Sequence, residues 1–123
     1  YDIQMCEANN WHCAQSRHYD AVVDGVKIEV KKTKTAGTII KLQQLAEIAL
    51  NEALQDIKYL IVRTNPSQDA IKSAFLVLSK DLCDVTGMTT KLAGQVLSVH
   101  EAFGCTIQMT IKQSDIEMYR FQG

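Results

Sequence analysis

The chain has one proline, Pro66, and no tract of biased composition. That excludes a proline-rich or disordered linker and leaves a chain able to bury a core. No apolar stretch approaches the ~20 residues that a membrane-spanning helix needs, so no such helix is expected within this sequence. Cysteine occurs four times, at Cys6, Cys13, Cys83 and Cys105, but never as Cys-x-x-Cys. This scatter offers no disulfide framework, and Cys6, His12 and Cys13 have the spacing of no standard zinc finger. Free thiols, with no recognisable secretory leader, set the expectation of an intracellular protein. An excess of one charge is also lacking, with 13 Lys and Arg against 14 Asp and Glu. Contact with a polyanion must therefore come from a local concentration of charge. Common enzyme signatures are missing as well. His100-Glu101 is not followed by the second His of a zinc protease, and there is neither a Gly-x-x-x-x-Gly-Lys loop nor a Gly-x-Ser-x-Gly elbow.

What is present is centred on residues 18–31. Two β-branched, alternating segments meet at Asp24-Gly25, the dipeptide of a two-residue type I′ hairpin. With those two residues as the loop, Val23 faces Val26, Val22 faces Lys27, Ala21 faces Ile28, and Asp20 stands opposite Glu29. The period-two alternation then gathers Asp20, Glu29 and Lys31 on one polar face, with His18 opposite Lys31. Tyr19, Ala21, Val23, Val26, Ile28 and Val30 form the other face, expected to be the core face. Two opposed carboxylates repel across a strand pair, so something must compensate. A salt bridge from Lys27 or Lys31 would serve, and so would a hard divalent cation, which takes one or two carboxylates plus further oxygens.

Asp20, eight intervening residues, then Glu29-Val30-Lys31 resembles the PD-(D/E)XK signature of the restriction-endonuclease-like superfamily, with Tyr19 where the motif has its proline. That superfamily includes type II restriction enzymes and Holliday-junction resolvases. The resemblance implies an α/β fold with an αβββαβ core, a mixed central sheet flanked by helices. It also implies a Mg2+-dependent endonuclease (Mn2+ as substitute) hydrolysing phosphodiester bonds of duplex or branched DNA. Asp20 and Glu29 would hold the metal with the Val30 carbonyl, and Lys31 would act on the attacking water. An acidic residue on the first helix sometimes joins such a site, and Glu7 is the candidate. A Gln near the start of the helix after the motif strand often approaches it, and Gln44 is the candidate. One motif per chain implies a homodimer if both strands of a duplex are to be cut.

The order of elements agrees with that core. Residues 2–10 suit a helix, residues 11–16 a strand, and the hairpin follows. Its exit is basic: Lys27, Lys31, Lys32, Lys34 and Lys41 put five lysines within fifteen residues, the density that phosphate contacts need. His18, Lys32, Lys34 and Lys41 are the candidate nucleic-acid contacts. An apolar stripe predicts a helix over 38–56, capped by Thr38. Residues 57–64 read as a buried strand returning parallel to a motif strand. A strand over 74–78, a helical turn from Ser79, a helix begun at Thr89 or Thr90 and stopped by Gly104, and a strand over 105–112 follow. The tail, 114–121, suits a helical turn or an edge strand. The whole reads as one domain, 1–123, with room for a truncated N-terminus because the chain begins at Tyr1. The rival reading is a non-catalytic nucleic-acid-binding or structural module of the same fold.

Overall fold

The computed structural model describes residues 19–121 and the backbone of residues 12–13. The predicted helix over 2–10, most of the strand over 11–16, and the candidates Glu7 and His18 lie outside the described residues.

The Asp24-Gly25 turn is formed as its chemistry requires. Asp24 and Gly25 take positive φ, 51° and 81°, the conformation of a type I′ turn. It joins β2 (Ala21–Val23) to β3 (Val26–Thr33) with Val23 opposite Val26, Val22 opposite Lys27 and Ala21 opposite Ile28. β1 (His12–Cys13) adds antiparallel on the far side of β2. β5 (Lys58–Thr64) then lies parallel to β3, and β6 (Ile71–Leu78) antiparallel to β5. The result is a mixed sheet in the order β1-β2-β3-β5-β6.

The crossover from β3 to β5 departs from expectation at its start. Residues 38–41 are not helical. β4 (Gly37–Lys41) is a strand paired antiparallel with β7 (Gln108–Lys112), and helix α1 covers only Leu42–Leu50. Thr38-Ile39-Ile40 is a β-branched run whose stripe fits either period. Here a strand partner from the end of the chain decides the outcome against helix propensity. Lys41, not Thr38, is therefore the N-cap position. Asn51 ends α1, and its side chain accepts from Ala53 N to start the 3-10 turn Glu52–Leu54.

The remaining elements are α2 (Ser79–Thr86), α3 (Thr90–Phe103) and 3-10 turns at Gln113–Asp115 and Glu117–Tyr119. Thr89 caps α3 by accepting from Leu92 N, and Gly104 ends it in the left-handed region. His100, in the last turn, is satisfied by the Cys105 carbonyl at 2.8 Å rather than by the core. The tail closes with an antiparallel bridge between Phe75 and Arg120.

The main core joins the sheet to the helices. Tyr59, Ile61, Phe75 and Val77 meet Leu45, Ala46, Ile48, Leu82 and Ala93, with Ile40 and Ile111 contributed by β4 and β7. Glu29 is in register with Tyr59, and Lys31 with Ile61. The Glu29 face of β3 is therefore the helix-packed face. Ala21, Ile28 and Val30 are buried as expected, but on the opposite face, outside the main cluster. Tyr19 reaches that cluster from the segment before β2. No described helix is long and apolar enough to cross a membrane.

Candidate functional site

The β2–β3 pairing ends at Ala21 opposite Ile28, and Asp20 is the residue just before it. Asp20 N donates to the Ile28 carbonyl at 2.8 Å, and Asp20 Oδ2 accepts from Val30 N at 2.8 Å. The carboxylate thus takes over the ladder bond where the β2–β3 pairing ends. One oxygen is held against β3, in the manner of charge-assisted bonds to backbone donors. A strand residue aims its N–H and its carbonyl at the same neighbour. The Val30 carbonyl therefore points to the edge where Asp20 sits.

Glu29 is a buried carboxylate, 7 % exposed. Such a group must be compensated by hydrogen bonds or by charge. Part of that compensation comes from α1, whose first turn begins where β4 ends. Gln44 Nε2 lies 3.3 Å from Glu29 Oε2 and 2.8 Å from the Tyr59 hydroxyl. One amide group thus spans a carboxylate on β3 and a phenol on β5. The Tyr59 phenol is raised well above its ordinary range, first by burial and then by the Glu29 charge, with Asp20 adding to the effect and the Gln44 hydrogen bond opposing it. Both carboxylates therefore act on the same buried hydroxyl.

Lys31 is half-buried and, through its register with Ile61, shares the Glu29 face. Lys32 is in register with Val62 and takes the other face. Lys34 and Lys41 are exposed, on the β3–β4 turn and on β4. The Lys27 ammonium lies over the Tyr19 ring, 5.7 Å from its centroid.

Glu29 and Gln44 are thus in contact, Asp20 is held on the Val30 main chain and acts on the same Tyr59 hydroxyl, and Lys31 joins this constellation by sharing the Glu29 face of β3. Lys32, Lys34 and Lys41 stand outside that constellation. Tyr59 is the member that sequence reasoning passed over, because it sits in the apolar run Tyr59-Leu60-Ile61-Val62. The parallel register with Glu29 was the available signal. Among the described residues there is no group of three or more His, Cys, Asp or Glu side chains arranged to hold a metal ion. The donors present are two carboxylates and a main-chain carbonyl. This small oxygen set suits a Mg2+ ion that keeps waters and substrate oxygens, and does not suit a zinc or calcium cage. No protein-family model matches the chain, and no curated protein matches it.

Proposed function

We propose that the chain is a Mg2+-dependent endonuclease with a restriction-endonuclease-like core, acting on the phosphodiester backbone of DNA. The observation that carries this reading is the buried Glu29 carboxylate. Gln44 is bonded to it, Lys31 lies two residues further along its own face, and Asp20, held by Val30 N, acts on the same Tyr59 hydroxyl. A solvated salt-bridge surface would leave Glu29 exposed.

Asp20, Glu29 and the Val30 carbonyl would hold Mg2+, or Mn2+ in its place, and the ion when bound would stabilise negative charge at phosphorus and on the leaving oxygen. Lys31 orients the water that attacks phosphorus and favours loss of its proton as the bond forms. Gln44 holds the Glu29 carboxylate through one oxygen, and Tyr59 fixes Gln44. Such support confines a site to the geometry it needs, which is where much of a catalytic advantage arises. Products with a 5′-phosphate and a 3′-hydroxyl follow from the resemblance. Cutting both strands of a duplex would take two copies of the chain.

The test is incubation of the purified chain with duplex, nicked, branched and single-stranded DNA, with and without Mg2+, alongside Asp20→Asn and Glu29→Gln. Cleavage that needs both the ion and both carboxylates is expected. Folded protein that neither cleaves any of these nor gains thermal stability from Mg2+ or Mn2+ would overturn the reading in favour of a non-catalytic module.

A further inference from the structure

The β4–β7 ribbon has one face in the core and one in solvent. Thr38, Ile40 and Ile111 are buried, while Ile39, Lys41, Gln108, Thr110 and Lys112 are exposed. The register sets Lys41 beside Gln108, Ile39 beside Thr110 and Gly37 beside Lys112, so the exposed residues form one continuous surface. No acidic residue occurs from 30 to 46 or from 102 to 114. A chain of formal net charge -1 thus presents a ribbon face that carries lysine, amide and hydroxyl groups and no carboxylate. Lys34 extends the face at the β3–β4 turn. There Thr33 Oγ1 and Thr35 Oγ1 both donate to the Gly37 carbonyl, at 2.8 and 3.0 Å, and give the turn a fixed shape. Lys32 sits at its margin, its other side bordering a hollow that includes Asp69.

We propose that this ribbon face is the surface that docks duplex DNA, with the ribbon seated in a groove. The inference deepens the nuclease reading and rests on its nucleic-acid part. Charge complementarity selects a polyanion. The form of the element selects a duplex. A B-form major groove about 12 Å wide admits a two-stranded ribbon, whereas a single strand offers no groove. Lysines at both ends of the ribbon would contact phosphates, and Gln108 and Thr110 would face base edges. Lys41 immediately precedes α1, three residues before Gln44, so the same element that meets the duplex leads into the carboxylate site.

The test is equilibrium binding in EDTA, where no cleavage interferes. Labelled duplex, the matching single strand, and phosphatidylserine-containing vesicles serve as probes. The proteins are wild type, Lys41→Ala/Lys112→Ala, and the control Lys72→Ala/Lys91→Ala. The duplex is expected to bind more tightly than the single strand. The ribbon variant should lose duplex affinity on the order of ten-fold and lower the slope of log K against log salt by about two, with the control unchanged. In wild type, acetylation of Lys41 and Lys112 should be suppressed by duplex while Lys72 reacts as before, a readout that does not depend on the variant folding. No duplex binding, equal binding of single and double strands, vesicle binding alone, or unprotected Lys41 and Lys112 would each overturn the inference. Cleavage with Mg2+ is scored separately. A duplex-binding ribbon without cleavage sinks only the catalytic reading, and cleavage with an indifferent ribbon sinks only this one.

Discussion

Two paired-strand units flank the same core and differ in almost every respect. The β2–β3 hairpin closes through two residues and buries Glu29, while Asp20, just before β2, bonds to the Val30 main chain. The β4–β7 ribbon joins strands from distant parts of the chain and exposes lysines. In the first unit charge is gathered where it is costly, so each carboxylate needs a partner, and Val30 N and Gln44 supply two. In the second, charge is left in water, where a lysine costs little and reaches far. On the proposed reading, the contrast amounts to a division of labour between a held acidic site and an exposed basic surface.

The sharpest way to break that division is a pair of neighbouring lysines on opposite faces. Lys31→Ala is expected to lower single-turnover cleavage at saturating DNA by about 10²-fold or more, with the fold intact. Lys32→Ala should leave that saturated rate near wild type while weakening binding. Equal rates for the two variants would remove the role assigned to Lys31.

Next in size, Glu29→Gln and Asp20→Asn should abolish the melting-temperature rise produced by Mg2+. With wild type, an ion at one hundred times its Kd would add about 2.7 kcal/mol of stability. A rise that persists in both variants would place the ion elsewhere.

A third test concerns Tyr59. Its raised phenol means that the folded state holds the proton more tightly than the unfolded chain. The associated stability is therefore complete below the ordinary phenol value of 10.0 and is lost as pH climbs beyond it. Tyr59→Phe should flatten this alkaline loss in denaturation curves above pH 10, and a curve parallel to wild type would contradict it.

The smallest effect is on the basic side. A Cβ at Gly37 would sit 2.5 Å from Thr110 Cγ2, so Gly37→Ala should cost about 1 kcal/mol in urea unfolding. Thr110→Ser should restore most of it, since it removes the obstructing methyl.

The acidic unit was legible because its determinants are local. Asp24-Gly25 sets the turn, and the turn sets the register as far as Ala21 opposite Ile28, where Asp20 leaves the ladder and bonds to the Ile28 carbonyl and the Val30 N–H. The same alternation did not tell which face the helices would cover. Ile28 and Val30 looked like the core side, yet the main cluster formed around Tyr59 and Ile61, on the face of Glu29. Burial on both faces of a central strand makes apolar alternation uninformative about layers. Ile39 and Ile40 misled for a different reason. Their stripe continues that of α1, and only residues 108–112, nearly seventy positions away, decide that they extend rather than coil. Gln44 was legible from its place at the start of the helix, whereas Tyr59 needed the parallel pairing of β3 with β5.

The separation between β4 and β7 also bears on the order in which the protein assembles. Ile40 pairs with Met109 and Gly37 with Lys112, so the ribbon closes a loop that contains α1, β5, β6, α2 and α3. Loop-closure entropy makes such long-range pairings slow to form, whereas a two-residue hairpin closes within microseconds. The β2–β3 hairpin can thus be in place while β4 still lacks its partner. In a pulse-labelled refolding experiment, the Val26 and Ile28 amides, which face β2, should gain protection from exchange before those of Gln108–Lys112.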